Sequence, residues 1–455
     1  MSPPPSESLS ARAAVGYGTG DFALNLYWGA LSFFLLYWYT DVVGLPPAVA
    51  GFVFFAGTFW DAVSDPTIGF LVGRVHSRWG RYRPFLLLGA VPLAASFALL
   101  LWVPPLDGLA LTVALLAAHL LFRTAYTVVS VPYSALSARI SQRSSDRTTL
   151  ASYRMVAATA GSLLISAAGF PVVRFLGNGD ERSGFFYLAL LAGSIAVLVM
   201  LLCFAMTREP PERVLDVKQP ERDYRWSDVL SMLRTNTAFL YLLAMIPLFS
   251  AAAALMQKSL VYYVKYGLEA HEQQHVVLFS HGLAVMAATP LWAYVARRWD
   301  RRVAWTGSTL LLSAAAVVMV ARTPETLPAF LLLLLPMSIA FAAMGVLFWS
   351  MLPDTIEYGQ WRNGFRAEAL FFGVASFTQK MSIGLVAWLM GWALAVVGFE
   401  PAVAQSALTI TTIKMGMTLA PATLLILCLV VLSRYPLNAK LHRRIREDLF
   451  GRDSV

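Results

Sequence analysis

Two aspartates lie four residues apart inside a long apolar segment. Asp61 and Asp65 occur in the sequence Trp60-Asp-Ala-Val-Ser-Asp65-Pro66, in the middle of an apolar run near residues 47–73. A spacing of i and i+4 puts both carboxylates on one face of a helix. Two carboxylates this close in a low dielectric cannot both stay ionised alone, so one binds a proton or a cation sits between them. The alternative is a structural cluster in which Arg or Lys partners lock neighbouring helices.

Asp21 is a third carboxylate well inside an apolar run. It occurs in the sequence Tyr17-Gly-Thr-Gly20-Asp21. A carboxylate can accept hydrogen bonds from two hydroxyl groups, which suits a sugar. The structural alternative is a salt bridge to Arg154, and the two roles are compatible. An ionisable side chain in a membrane span costs about 2.5–3.5 kcal/mol on insertion scales, so such residues are functional candidates.

Three further residues in apolar runs are candidates because of their charge or their aromatic ring. Arg123 lies four residues before Thr127, which places both on one helix face. If that face meets the aspartate pair, the guanidinium would neutralise one carboxylate permanently and compete with a metal ion. Lys380 is expected to face a carboxylate or a polar cavity, unless it snorkels to the membrane surface. Trp349 is a candidate stacking platform, although most tryptophans here should belong to the core or the interface belts.

These candidates belong to a chain made largely of apolar segments. Of its 455 residues, 58% are hydrophobic and 13% are charged, whereas a soluble chain averages about a quarter charged. A spanning helix needs about 20 mostly apolar residues, so the sequence predicts an all-α membrane protein with twelve transmembrane helices. The apolar runs lie near residues 17–40, 47–73, 84–104, 108–134, 149–172, 184–206, 237–264, 273–296, 303–321, 326–352, 367–397 and 411–433.

The basic residues indicate how the chain is oriented. Most of the 35 Lys and Arg residues lie in the two tails and in the connectors after the even-numbered runs. Because basic connectors favour the cytoplasmic side, both termini are predicted to be cytoplasmic. The net charge of +9 then reflects topology, and no nucleic-acid partner is expected. The predicted location is the bacterial cytoplasmic (inner) membrane or a plasma membrane.

Two sets of six runs flank a long polar connector, which predicts two halves. Basic residues follow the second run, at 74–83, and recur after the eighth run, at 297–302. This repeated basic connector resembles the arrangement of the major facilitator fold, which implies a substrate site near the bilayer midplane. The predicted segments are a first half at 1–206, a cytoplasmic connector at 207–236, a second half at 237–433 and a cytoplasmic tail at 434–455.

Short motifs follow one another along nearly the whole chain. They are Tyr17-Gly-x-Gly-Asp21, Tyr39-Thr-Asp41-Val-x-Gly44, Trp60-Asp-x-x-x-Asp65-Pro66, Ser77-Arg-Trp-Gly-Arg-x-Arg-Pro84, Val131-Pro-Tyr-Ser-Ala-Leu136, Asp354-Thr-Ile-Glu-Tyr-Gly359 with Arg366-Ala-Glu368, Lys380 and Tyr435-Pro-Leu-x8-Arg446. The ordered set resembles the glycoside–pentoside–hexuronide:cation symporters, the melibiose-permease family of the major facilitator superfamily.

This resemblance implies ion-coupled sugar transport with two sites. The cation-site positions of that family correspond to Asp61, Ser64, Asp65 and Thr127, with Lys380 beside them. The sugar-site positions correspond to Asp21, Tyr126, Ser130, Ser134 and Arg154. The implied coupling ion is Na⁺ or H⁺, with Na⁺ expected at Asp61 and Asp65 if it is used, and no other cofactor is implied.

Two departures from melibiose-type permeases change these expectations. Those permeases carry Asp and Trp where this chain has Ser130 and Ser134, so a galactoside preference is not implied. They carry Asn and a small residue where this chain has Ser64 and Arg123, which favours H⁺ or an internal cation over Na⁺.

A basic residue of the second half suggests a charged substrate. Lys258 has no equivalent in melibiose permease, and with Arg154 and Lys380 it would line a basic cavity. The resulting hypothesis is an anionic substrate, such as a hexuronide or a sulfonated sugar. The predicted function is therefore symport of a glycoside, hexuronide or related sugar by alternating access. The alternative is lysophospholipid carriage, because the segments at 130–136 and 151–155 also resemble lysophospholipid carriers of the same superfamily branch.

The basic connectors are predicted to pair with acidic residues and to close the cytoplasmic side. The sequence offers no nucleophile motif and no His pair at ligand spacing, so a transporter is predicted rather than an enzyme. Expected partners are a sugar-like substrate, the coupling ion and membrane lipid, with the chain acting as a monomer. The predicted gate consists of Arg74, Arg78, Arg81, Arg83, Asp354, Glu357, Arg366 and Glu368.

Overall fold

A computed structural model describes residues 10–72, 77–140, 144–209, 234–363 and 368–450. These residues fold into helices joined by short connectors, as the long apolar runs predict. The chain divides into two compact units, residues 1–219 and residues 220–455. The boundary between the units falls inside the connector predicted at 207–236.

Two of the helix contacts in the first unit bring the candidate residues together. Helix α1 packs against α5 and α6, α2 packs against α4, and α3 packs against α4 and α6. The α2–α4 contact brings the aspartate pair next to Thr127, and the α1–α5 contact brings Asp21 next to Arg154. The helices are α1 (Ala11–Tyr37), α2 (Pro47–Val72), α3 (Arg83–Leu100), α4 (Gly108–Ile140), α5 (Ser144–Gly177) and α6 (Glu181–Met206), and a π-helical turn at Trp38–Val42 continues α1.

The second unit is organised around two long helices. Helix α7 packs against α11 and α13, while α10 packs against α8 and α9 and also carries the short helix α14. A π-helical turn at Tyr263–Gly267 continues α7. The helices are α7 (Thr237–Tyr262), α8 (Gln274–Arg298), α9 (Arg301–Ala321), α10 (Leu327–Asn363), α11 (Glu368–Val396), α12 (Ala407–Met417), α13 (Leu419–Ser433) and α14 (Ala439–Phe450).

Eleven helical segments of the described chain are long and apolar enough to cross a membrane, by length and composition. They correspond to the second to twelfth predicted runs, with α12 and α13 together forming the last. Helix α1 is not among them, although it matches the first predicted run, because its tyrosines, glycines and Asp21 lower its hydropathy. The twelfth span therefore stays a prediction, and so does the position of the termini.

Several helices extend beyond the apolar runs that predicted them. Helix α4 continues to Ile140 and α10 continues to Asn363, whereas the corresponding runs end near residues 134 and 352. A helix needs only backbone hydrogen bonds to continue, so polar turns outside the apolar stretch remain helical. The polar tail also contains the amphipathic helix α14, whose Ile445 is fully buried.

A charged cap fixes the start of α6. The Asp180 carboxylate accepts the backbone N–H of Arg182 at 3.2 Å and that of Ser183 at 3.1 Å. Such caps satisfy amide groups that have no partner within the helix. Hydrogen bonds from Ser183 lower the pKa of Asp180 below its usual value.

Candidate functional site

The aspartate pair of α2 meets α4 at a single threonine. The Thr127 hydroxyl lies 3.0 Å from Asp61 Oδ1 and 2.8 Å from Asp65 Oδ1. Asp61 and Thr127 are 0% exposed, whereas Asp65 is half-buried. The i and i+4 spacing therefore presents both carboxylates to one hydroxyl of the neighbouring helix.

The number of hydrogens limits the hydrogen bonds that this cluster can form. A threonine hydroxyl has one hydrogen to donate and two lone pairs to accept with. Thr127 can therefore donate a full hydrogen bond to one aspartate only, and its second short contact is either a weaker, shared hydrogen bond or one donated by a protonated carboxyl group. A protonated Asp65 that donates to Thr127, while Thr127 donates to Asp61, satisfies both distances.

Arg123 supplies a fixed positive charge on the far side of Asp61. Its Nη1 lies 3.5 Å from Asp61 Oδ2, and the Arg123 side chain is nearly inaccessible to solvent. Its guanidinium also lies 5.7 Å from the centre of the Trp28 ring. The α4 face with Arg123 thus meets the α2 face with the aspartates, which is the arrangement that would compete with a metal ion at Asp61.

His119 is a member of this cluster that the sequence reasoning missed. Arg123 Nε donates to His119 Nε2 at 3.2 Å, so this ring nitrogen acts as the acceptor and the imidazole is neutral. The signal was available, because His119, Arg123 and Thr127 are spaced by four residues along α4 and share one face. The structure therefore adds a positioning residue for the buried guanidinium.

A glycine of α2 makes room for His119. A Cβ atom built on Gly57 would lie 2.3 Å from the His119 ring, closer than side-chain atoms can approach. His119 is 0% exposed and has little space to withdraw. The close α2–α4 packing at Gly57 therefore holds His119, and through it Arg123, in place.

The other two residues of the predicted cation set lie differently. Ser64 is buried beside the aspartates on α2, and its hydroxyl donates to the Asp61 backbone carbonyl at 3.3 Å. Its side-chain oxygen keeps lone pairs for a further donor or a cation. Lys380 is half-buried on α11 of the second unit, and its role beside the aspartates stays a prediction.

Asp21 and Arg154 form an ion pair between α1 and α5. Arg154 Nε donates to Asp21 Oδ2, and its Nη2 lies 3.4 Å from Oδ1. The guanidinium also lies over the rings of Tyr133 and Tyr17, at 5.1 and 5.7 Å from their centres. The structural alternative considered for Asp21 is thus present, and a sugar would meet this pair as one polar unit.

Two tyrosines form the floor beneath this ion pair. Tyr17 and Tyr133 stack with ring centres 4.8 Å apart, and each hydroxyl donates to the backbone carbonyl of the other residue, at 3.1 and 2.6 Å. A Cβ atom on Gly20 would lie 2.3 Å from the Tyr133 ring. The two motifs that contain Tyr17 and Tyr133 therefore pack directly on each other, which sequence spacing alone did not indicate.

The remaining predicted sugar-site residues of the first unit lie on α4. Tyr126 is half-buried, with its ring 6.3 Å from that of Trp28, next to the Arg123 cluster. Ser130 is half-buried and Ser134 is exposed. A hydroxyl at Ser134 is therefore accessible to a polar ligand.

Two predicted substrate residues belong to the second unit. Lys258 is 4% exposed on α7, close to the π-helical turn that ends this segment. Trp349 on α10 is 42% exposed and stacks on Phe372 of α11, with ring centres 6.2 Å apart and planes 14° apart. An exposed tryptophan face of this kind is compatible with the stacking role predicted for it.

The basic connector of the first unit is held largely by backbone contacts. Arg83 donates to the carbonyl of Phe204 at 2.7 Å and lies over the Phe204 ring, while Arg78 lies over the Trp79 ring at 4.6 Å. Glu209, an acid that the sequence reasoning did not single out, accepts the Tyr82 amide at 3.0 Å. Arg81 is half-buried in the same connector, and Arg74 lies outside the described residues.

The basic connector of the second unit meets the predicted acids. Arg301 forms an ion pair with Asp354, and His442 of α14 lies 3.5 Å from Asp354 and 2.8 Å from Glu357. The tail helix therefore joins this charged group through His442, which was not among the predicted gate residues. Arg366 and the side chain of Glu368 lie outside the described residues.

A solved membrane-protein structure shares this helical architecture. The structure matches that of the xylose transporter XylE from Escherichia coli with a TM-score of 0.63, 14% sequence identity, and coverage of 94% of this chain and 96% of the other. At this identity, the likeness concerns the fold alone. Together with the eleven candidate spans, it supports the all-α membrane fold that the sequence predicted.

Sequence comparison then gives the family. Residues 16–439 match the family described as MFS/sugar transport protein, and the chain belongs to that family. It is 28% identical to the inner membrane symporter YicJ of Escherichia coli (strain K12), over 94% of this chain and 92% of the relative. It is 26% identical to the glucuronide carrier protein homolog of the same strain, over 99% of this chain and 98% of the relative. These matches confirm the predicted family, which consists of transporters and not of enzymes.

Proposed function

We propose that this chain is a proton-coupled symporter of a sugar in the bacterial inner membrane, with twelve spans and both termini in the cytoplasm. Membership of the MFS/sugar transport protein family supports sugar transport. Relatives named as a symporter and as a glucuronide carrier homolog support coupling and an acidic sugar. Coupling by alternating access requires that ion and sugar bind with different affinities in the two open states.

One observation carries the choice of the proton. Thr127 lies 3.0 Å from Asp61 and 2.8 Å from Asp65, and one hydroxyl hydrogen serves both contacts only as a shared, weaker bond. A proton on Asp65 supplies the missing hydrogen. Asp65 keeps some exposure, whereas Asp61 is fully buried, so Asp65 is the group that exchanges its proton with solvent.

Arg123 argues against Na⁺ in the same cluster. Its guanidinium lies 3.5 Å from Asp61 and provides that carboxylate with a permanent counter-charge. A second cation would meet like-charge repulsion in a low dielectric, whereas protonation of Asp65 removes a charge instead of adding one. The fixed cation and the mobile proton together keep the buried cluster close to neutral.

The proposed substrate class is a hexuronide. Asp21 and Arg154 offer acceptors and donors to sugar hydroxyl groups, and the almost fully buried Lys258 offers a positive charge to a carboxylate. The glucuronide carrier homolog among the relatives supports the same class of sugar.

The test is transport by the full chain in proteoliposomes. Radiolabelled phenyl β-glucuronide, methyl β-glucoside and lysophosphatidylglycerol are offered in turn. Each is tested with a pH gradient that is acidic outside or with a Na⁺ gradient that is higher outside. We expect accumulation of the glucuronide with the pH gradient only. Accumulation driven by Na⁺ alone would overturn the assigned ion, and transport of the lysolipid alone would overturn the assigned substrate.

Variants of the cluster separate coupling from binding. Asp65→Asn keeps the shape but cannot exchange a proton, so we expect it to lose pH-driven accumulation and to retain exchange of internal for external glucuronide. Asp180→Asn is the matched control, because an asparagine still caps α6 and Asp180 lies outside the cluster. Normal pH-driven accumulation by Asp65→Asn would contradict the proposed role.

A further inference from the structure

A basic cavity lies in the second unit, apart from the residues assigned to ion and sugar. It has a volume of about 290 Å³ and is walled by the α8–α9 connector, α10, the segment after α13 and α14. This volume is at the lower end for small-molecule sites. Its basic lining residues are Arg297, Arg301, Arg302, His442 and Arg443.

The acids at this cavity are already engaged. Asp354 pairs with Arg301 and lies 3.5 Å from His442. Asp300 caps α9, where its carboxylate accepts the Arg302 amide at 2.8 Å. The carboxylates therefore neutralise only part of the positive charge on the walls.

Two arginines at the cavity are available to a ligand. Arg297 and Arg443 are exposed, and no carboxylate of the described chain lies within 4 Å of either. Guanidinium groups bind phosphate oxygens through parallel, charge-assisted hydrogen bonds. The chemistry of these two walls suits a phosphate-bearing anion.

Two buried donors at the same cavity lack an acceptor. Arg302 Nε and the Tyr435 hydroxyl make no hydrogen bond within the described residues, although both atoms are buried. Burial raises the pKa of Tyr435 above its usual value, so its hydroxyl keeps the hydrogen that it can donate. Buried donors without partners are uncommon, and a water, an ion or a ligand can supply the acceptor.

The cavity lies where two membrane spans end. The segment that ends with α8 stops at Arg298, and the next candidate span begins at Arg301 with α9. Trp299 lies between them, lines the cavity and is 61% exposed. Tryptophan is enriched at the level of lipid headgroups. This position brings phospholipid phosphates within reach of Arg297 and Arg443.

We propose that this cavity binds a phosphate-bearing anion, and that the ligand is the phosphodiester headgroup of an anionic membrane lipid. Arg297 and Arg443 bind the phosphate from the exposed side, and Arg302 and Tyr435 donate from the buried side. Because α14 supplies Arg443, a bound headgroup also ties the tail helix to the α8–α9 connector.

The test is a thermal-stability titration of the full chain in detergent. The probes are dioctanoyl phosphatidylglycerol, dioctanoyl phosphatidylcholine and glycerol 1-phosphate. Saturable stabilisation by phosphatidylglycerol is expected, since a ligand that binds only the folded state raises the midpoint. The double variant Arg297→Gln/Arg443→Gln is expected to raise the half-saturating lipid concentration about tenfold. Its thermal midpoint without lipid is expected to equal that of the wild type.

The matched control is Arg298→Gln/Arg444→Gln. These arginines are sequence neighbours of the first pair and are also exposed, but they do not line the cavity. The control is expected to change lipid binding less than twofold. Equal losses in both double variants, equal stabilisation by phosphatidylcholine, or no loss in the first variant would overturn the site. Equal stabilisation by glycerol 1-phosphate would overturn the lipid as its source.

Discussion

At the residue scale, the free-energy cost of burying the Asp61 charge depends on Arg123. The carboxylate is fully buried, and the nearest guanidinium nitrogen is 3.5 Å away. In a buried ion pair, the loss of one partner leaves the other as an uncompensated charge, which costs about 3–5 kcal/mol. Removing both charges together costs much less, because no uncompensated charge remains.

A double-mutant cycle tests this dependence. Arg123→Gln should lower the unfolding free energy by about 3 kcal/mol, whereas Asp61→Asn/Arg123→Gln should recover most of that loss. The measurement is the thermal midpoint of the purified protein in detergent. A single variant as stable as the wild type would mean that Arg123 does not neutralise Asp61.

The same substitution bears on ion selectivity. With Arg123→Gln, the oxygens of Asp61, Asp65 and Thr127 no longer face a fixed cation, and a hard cation can take its place. We therefore expect NaCl, but not choline chloride, to stabilise this variant against heat, whereas the wild type should respond equally to both salts. Stabilisation of the wild type by Na⁺ would contradict the proposal that Arg123 excludes Na⁺ from the cluster.

Lys258 tests the charge of the substrate. If its ammonium meets a carboxylate, Lys258→Ala should weaken glucuronide binding about tenfold, the usual order for a charge-assisted hydrogen bond, and leave a neutral glucoside unaffected. Lys265→Ala, in the π-helical turn beyond α7, is the control with the same charge change. Equal uptake of glucuronide by Lys258→Ala and the wild type would remove the support for an anionic substrate.

At the element scale, the close packing of α2 on α4 positions the cluster. Gly57 lies against His119, while Gly69 on the same helix would bring a Cβ atom only to 3.6 Å from Val131, an ordinary contact. Alanine is the better helix former, by about 1 kcal/mol over glycine. The two glycines therefore separate helix propensity from packing.

We expect opposite effects from these two substitutions. Gly57→Ala should destabilise by about 1–3 kcal/mol through overpacking against His119, and it should impair pH-driven uptake because Arg123 moves with the histidine. Gly69→Ala should be neutral or stabilising. The readouts are the thermal midpoint and uptake in proteoliposomes, and equal behaviour of both variants would argue against a positioning role for Gly57.

The cap of α6 gives a prediction with a defined pH dependence. Asp180→Ala should cost about 1 kcal/mol, and Asp180→Asn should cost little. Because the pKa of Asp180 is lowered in the folded chain, its charged form stabilises above the ordinary aspartate pKa of about 3.9. That contribution is lost as the pH falls through the lowered pKa. The difference between wild type and Asp180→Ala, measured by thermal melting, should therefore shrink only below about pH 4.

Most of the helices could be predicted from the sequence. An apolar run of spanning length forms a helix in a membrane because its backbone groups must then bond within the segment. Contacts between helices were harder to anticipate. The stacking of Tyr17 on Tyr133 depends on which helices pack together, and periodicity within one helix carries no such information. His119 differs, because its four-residue spacing from Arg123 could have placed it in the cluster from sequence alone.

At the scale of the whole molecule, each unit carries a distinct part of the chemistry. The first unit contains the aspartate cluster and the Asp21–Arg154 pair, and the second contains Lys258, Trp349 and the basic cavity. The resemblance of ordered motifs predicted the family correctly, because those motifs span nearly the whole chain. The coupling ion could not be predicted equally well, since it depends on how one guanidinium and one hydroxyl meet two carboxylates in space.

Proton movement that accompanies sugar uptake is the most direct test of proton-coupled symport. Proteoliposomes containing the full chain, in weakly buffered medium, receive phenyl β-glucuronide while the external pH is recorded. We expect alkalinisation of the medium in proportion to the sugar taken up, and no alkalinisation with Asp65→Asn. Glucuronide uptake by the wild type without any change in pH would contradict proton-coupled symport.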